Sequence, residues 1–224
     1  MSISIRGLLS VILIASAIGV SSPKAQAQVM IQARTAPPPA VRVGPAMGGG
    51  PFDRIGFLSR VTLGGGYLYT DTPNWSLRAP CLSFSVTGGI SVTPQLTLQA
   101  ELWAGIGVGP TLEVDGSSAL LDADSSLNTG GLGVGMTYFF PMDVGFLSVV
   151  VGPSVSQLEI RESTLDESGL GWGTHMLLGR DWWVSPHATV GIAAELMVMM
   201  NPEQDGDGWF NTIAGGVTFL VSRM

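Results

Sequence analysis

Four ionisable side chains stand inside segments that otherwise alternate between large apolar residues and small or polar ones: Arg60, Glu101, His175 and Glu195. Carboxylates, an imidazole and a guanidinium brought together can hold one another as ion pairs, move a proton, or serve as an acid–base site. Which of these applies depends on whether they share a face. The run Gln95 to Gly109 shows how to decide. Its even positions Leu96, Leu98, Ala100, Leu102, Ala104, Ile106 and Val108 are apolar, whereas Gln95, Thr97, Gln99, Glu101, Gly105, Gly107 and Gly109 lie on the other face of an extended strand. Arg60, His175 and Glu195 have the parity of the small residues in their own segments, so all four are predicted on one face, where opposite charges should pair.

Other reactive groups are sparse. Cys81 is the only cysteine, which excludes an internal disulfide and leaves a small strand residue without a metal-ligand partner. The stretch Asp205-Gly206-Asp207-Gly208 has part of a calcium-loop pattern but lacks its spacing and final glutamate, so it reads as a turn. Lipid-modifying catalysis would need a nucleophile beside a base; His187 falls in a short turn, and His175 has no serine partner in sequence. No catalytic, cofactor or metal site is therefore expected.

The elements that position the four charges are strands. Eight alternating segments lie near Gly56 to Thr70, Cys81 to Val92, Gln95 to Gly109, Asn128 to Phe140, Val144 to Ile160, Ser168 to Val184, Ala188 to Met200 and Gly208 to Ser222. Parity breaks at Gly152-Pro153 and around Leu177 and Arg180, which predicts a bulge or a shifted boundary there. In a soluble β-sandwich the second face of each strand carries many charges. Here it carries glycine and neutral polar residues, the pattern of a transmembrane β-barrel with apolar residues toward lipid and small ones toward the lumen. The predicted fold is all-β, an eight-stranded antiparallel up-and-down transmembrane barrel over residues 54–224. A soluble secreted β-protein is the alternative.

Residues 1–27 have the pattern of a secretory signal peptide: Arg6, an apolar run from Gly7 to Val20, and Ala25-Gln26-Ala27 as the cleavage site. Residues 28–53, with Pro37-Pro38-Pro39 and Gly48-Gly49-Gly50, read as a flexible periplasmic tail. Cleavage would remove Arg6 and Lys24, moving the formal charge from −7 to −9 and leaving no lysine, so nucleic acid is not an expected partner. The connections alternate too. Thr93-Pro94, Pro141-Met142-Asp143 and Ser185-Pro186-His187 are tight turns, whereas Asp71 to Pro80, Pro110 to Leu127, Arg161 to Glu167 and Asn201 to Asp207 are longer links. That asymmetry places the turns and both termini in the periplasm and the long links outside.

Most of the 17 acidic residues fall in or beside the long links: Asp71, Glu113, Asp115, Asp122, Asp124, Glu159, Glu162, Asp166, Glu167, Glu203, Asp205 and Asp207. These carboxylates would face outer-membrane lipids and lipopolysaccharide, where divalent cations could bridge protein to lipid. Aromatics mark two belts: Tyr67, Tyr69, Trp75 and Trp209 at one end, and Phe57, Tyr138, Phe139, Phe140, Trp182 and Trp183 at the other. Trp103 points to the lumen instead.

The segment Gly179-Arg180-Asp181-Trp182-Trp183-Val184-Ser185 resembles a Gly-basic-acidic-Trp-Trp-Val-Ser segment of the small outer-membrane β-barrel superfamily, the OmpA/OmpX/OmpW-like eight-stranded proteins. The resemblance covers about residues 55 to 224. It implies insertion by the barrel-assembly machinery through a C-terminal strand that ends in an aromatic residue; here Phe219, Val221 and Arg223 alternate and Met224 is last. Two functions stay open. One is a non-enzymatic structural or surface-interaction barrel whose interior charges form a salt-bridge plug. The other is a narrow channel for ions or small apolar molecules, gated by exchange of Arg60 between Glu101 and Glu195.

Overall fold

The computed structural model describes residues 54–114, 117–121, 125–141, 145–160, 163–203 and 208–224. The expected signal peptide and tail lie outside these residues, as do Met142, Asp143, Asp115, Asp122, Asp124, Glu162, Asp205 and Asp207.

Eight long strands close into a barrel: β1 (Phe57–Asp71), β2 (Ser76–Thr93), β3 (Leu96–Val108), β6 (Ser126–Phe139), β7 (Phe146–Ile160), β9 (Gly171–Ser185), β10 (Ala188–Pro202) and β11 (Trp209–Arg223). Each pairs antiparallel with its neighbours, and β1 pairs with both β2 and β11, so no barrel edge is left open. Three short strands extend the wall at the end with the longer links: β4 (Thr111–Val114), β5 (Ser117–Leu120) and β8 (Ser163–Glu167). We call this the loop end, and the opposite one, with turns at Pro94-Gln95 and Pro186-His187, the turn end.

Alternation in the sequence becomes a division between wall faces. Thr62, Ser85, Thr97, Thr137 and Thr218 are buried inside, whereas Leu63, Leu98, Leu132, Val217 and Phe219 are exposed outside. Burying the small residues and exposing the large ones reverses the order of a water-soluble core, and the outward face is the one that meets lipid.

Several boundaries differ from the sequence reading. β2 starts at Ser76 rather than near Cys81, which shortens the first long link to residues 72–75. Proline looks like a strand stop, but Pro80 lies between the last β2–β3 pair, Cys81↔Gly107, and the first β2–β4 pair, Arg78↔Thr111. Its missing N–H therefore costs no bond on that side. The irregularity expected around Leu177 and Arg180 is absent: pairing with β10 is continuous there, with Leu177 buried and Arg180 exposed. The register shift falls instead between Ala188 and Thr189, against Ser185 and Trp183. Three aromatics leave the expected belts, among them Trp183, which is half-buried with the Arg54 guanidinium 5.4 Å from its ring centroid. Phe139 is buried inside beside Phe146, with ring centroids 6.1 Å apart, and Trp75 packs edge-on against Phe210 at 5.4 Å over the loop-end core.

The outward apolar face yields a direct test of membrane residence. Leu132 is 56% exposed at the middle of β6, paired with Leu102. Leu132→Arg is expected to lower the stability of the barrel refolded in lipid vesicles by about 2–4 kcal/mol, read from urea titration of its heat-modifiable gel band. A change near zero would contradict a lipid-facing position.

Candidate functional site

Glu101, His175 and Glu195 come from β3, β9 and β10, and each points inward away from its strand ends. The imidazole lies between the two carboxylates: His175 Nδ1 contacts Glu101 Oε1, and Nε2 contacts Glu195 Oε1 at 2.8 Å. Thr87 Oγ1 donates to the second oxygen of Glu101 at 2.7 Å, and Ser83 Oγ donates to the second oxygen of Glu195 at 2.5 Å. A hydrogen-bonded chain thus runs from Thr87 on β2 through Glu101 to His175 on β9 and returns through Glu195 to Ser83 on β2. Ionised carboxylates only accept, so the arrangement is satisfied when His175 carries both ring protons as an imidazolium.

Trp103, fully buried on β3, stacks on the ring with centroids 6.0 Å apart and planes at 24°. Gly64 on β1 makes the space for the Glu195 end. A Cβ built there would stand 2.5 Å from Ser83 Oγ and 2.8 Å from Glu195 Oε2, so any larger residue displaces the carboxylate.

The structure puts Arg60 elsewhere. Its Nε donates to Ser222 Oγ at 3.2 Å, and its guanidinium lies 4.5 Å from the Phe146 ring centroid, nearer the turn end. The expected Arg60 pairing with Glu101 and Glu195 is therefore replaced by His175, which is near enough to bond both carboxylates at once. An exchange of Arg60 between the glutamates has no support in this geometry. A second ion pair, not foreseen from sequence, closes the turn end: Arg54 Nη1 and Nη2 donate to Asp181 Oδ2 and Oδ1, both at 2.9 Å, and Thr189 adds a hydroxyl at 3.2 Å. The parity of Asp181 matches that of His175 on the same strand, which was the available signal. Arg54 precedes the first strand and offered none.

Among the described residues, the buried side chains of the Asp, Glu, His and Arg types are Arg54, Arg60 and His175 against Glu101, Asp181 and Glu195. With His175 protonated these charges sum to zero. Apolar side chains fill the space on both sides: Leu68, Leu77, Trp103, Leu127, Leu158 and Met199 belong to the loop-side cluster, and Phe139, Phe146, Leu177 and Leu220 to the other. Of the acidic rim, Glu113 pairs with exposed Arg78 at 3.3 Å. No metal-holding group of His, Cys, Asp and Glu occurs among the described residues.

No protein-family model matches the sequence, and no curated protein matches it. Among solved structures, the chain is similar to Neisserial surface protein A, with a TM-score of 0.55 and 11% identity over 75% of this chain and 96% of that one. The chain has the fold of a small outer-membrane β-barrel. Also similar are the outer membrane protein OprG from Pseudomonas aeruginosa (TM-score 0.45, 13% identity, 77% of this chain and 97% of that one) and the attachment invasion locus protein Ail of Yersinia pestis (TM-score 0.38, 11% identity, 74% and 99%).

Removing the central cation of the barrel leaves two buried carboxylates facing each other. His175→Ala is expected to destabilise by about 3–5 kcal/mol. The triple variant Glu101→Gln, His175→Gln, Glu195→Gln should recover part of that loss, because the two carboxylates no longer repel, while Arg60 then keeps its charge without the bridge to offset it. Equal midpoints for wild type and His175→Ala in a urea titration would show that the three groups do not form a charged network.

Proposed function

We propose that the protein is a non-enzymatic outer-membrane barrel with a closed lumen, and that it acts as a structural and surface-interaction element through its loop end. The observation that carries this reading is the Glu101–His175–Glu195 bridge, which spans the interior with Trp103 stacked on it. An eight-stranded barrel has an interior about wide enough for side chains to fill, which favours a bridge of this size acting as a plug.

Catalysis draws no support from the same residues. Ser83 bonds Glu195 rather than His175, so the carboxylate stands between hydroxyl and imidazole, and both ring nitrogens are already engaged. A nucleophile needs the base adjacent to it. The channel reading needed a charge free to exchange between two carboxylates, whereas Arg60 rests on aromatic faces and Ser222.

The expected signal peptide, the short turns opposite longer links and the acidic character of those links all favour the loop end as the external one. There the carboxylates would recruit divalent cations to the phosphates of lipopolysaccharide. The barrel-assembly machinery would insert the chain.

Planar-bilayer recording tests the closed lumen. The purified full-length protein is expected to give no steady conductance above the lipid background. Reproducible single-channel steps from wild type, lost in Arg60→Ala, would overturn the proposal in favour of an ion path.

A further inference from the structure

The outward wall of the barrel carries one cation out of keeping with its surroundings. Arg180 on β9 is exposed, with Leu178 and Trp182 at the next outward positions of its own strand and Ile192 beside it on β10. Beyond Ile192 on β11 comes Phe219. Among the described residues no carboxylate pairs with Arg180; its aromatic contact is Trp182, with the guanidinium carbon 5.7 Å from the ring centroid. Trp182 lies nearer the turn end, so the long side chain reaches from the apolar band toward the level of an interfacial aromatic. A cation on a lipid-facing wall is costly unless it reaches the interface or meets an anion.

Beside this cation the wall is hollow. Ala194 stands between two larger outward neighbours, Leu178 on β9 and Val217 on β11, and Gly145, just before β7, contributes no side chain on the other flank. With Phe140 and Ile192 they line a groove of about 530 Å³ that includes Arg180. The groove is shallow and open toward the membrane, so it suits a chain lying along the wall rather than an enclosed ligand. The combination of a headgroup-level guanidinium and an apolar trough next to it matches a molecule with an anionic head and a hydrocarbon tail.

We propose that this hollow binds one glycerophospholipid, its phosphate held by the Arg180 guanidinium and an acyl chain lying against Leu178, Ala194 and Val217. The planar guanidinium suits phosphate because two parallel N–H donors can meet two oxygens. Taken with the orientation proposed above, on which this clause alone rests, the lipid belongs to the inner, periplasmic leaflet. The lipopolysaccharide of the outer leaflet would then be out of reach.

The full-length protein is reconstituted in nanodiscs of phosphatidylethanolamine and phosphatidylglycerol, transferred to detergent, and its retained lipid counted by native mass spectrometry. Wild type is expected to keep one phospholipid. Arg180→Gln should weaken retention about tenfold or more, the loss of a charge-assisted contact, and Arg180→Lys should lose less. Ala194→Phe fills the trough but keeps the charge, and is expected to weaken retention as well; a heat-modifiable band checks that each variant is folded. Equal retention by wild type and folded Arg180→Gln would overturn the site, and so would retention insensitive to both Arg180→Gln and Ala194→Phe. Protease accessibility of the loop end in whole cells tests the orientation separately: a periplasmic loop end would overturn the surface role while leaving the retained lipid unchanged.

Discussion

Everything inside this barrel answers to one electrostatic constraint. A lumen only as wide as its own side chains holds little water, and an ion there is far from neutral ground unless a counter-ion or hydrogen-bond partner is built in. The described interior holds three acids and three bases, arranged as a Glu–His–Glu bridge, an Arg54–Asp181 fork and Arg60 over aromatic rings, where its Nε bonds Ser222 and its two terminal nitrogens have no hydrogen-bond partner among the described residues. The bridge alone carries one net negative charge when its imidazole is protonated, and Arg60 supplies the compensating positive one at a distance. Neutrality is a property of the whole lumen rather than of each pair.

The wall is shaped around that content. Small inward residues make room for the large ones: Gly64 gives way to the Glu195 carboxylate, and Gly131 stands where a Cβ would lie 2.4 Å from the Trp103 ring. Hydroxyls complete the remaining acceptors, as Thr87 and Ser83 do for the glutamates, while Gln99 bonds both Thr137 and Ser148. On the outside no such matching is needed, because lipid accepts any apolar surface. The exception is Arg180, an exposed cation among apolar neighbours that no carboxylate pairs with among the described residues.

Parity alone made the eight strands and the inward direction of Arg60, Glu101, His175 and Glu195 legible, because a period of two assigns a face without reference to any partner. It could not assign partners. Those depend on barrel stagger, which brings β3 and β9 side chains together across the lumen although the two strands are not neighbours in the sheet. The attraction of opposite formal charge favoured Arg60 as the partner, and geometry gave the place to His175. Proline likewise misled at Pro80, where a gap in pairing removed the usual penalty. Phe139 read as an interfacial aromatic because it sits among Tyr138 and Phe140, yet its parity puts it inside.

The central claim is that His175 is a doubly hydrogen-bonded imidazolium locking two buried carboxylates. Nitrogen-15 NMR of ring-labelled histidine in the micelle-bound barrel addresses it directly, since the chain has 2 histidines and His187 is exposed in a turn. The account predicts that both ring nitrogens of His175 are protonated and exchange slowly with solvent, unlike those of His187. A His175 ring with one bare nitrogen, or one that exchanges as fast as His187, would contradict it.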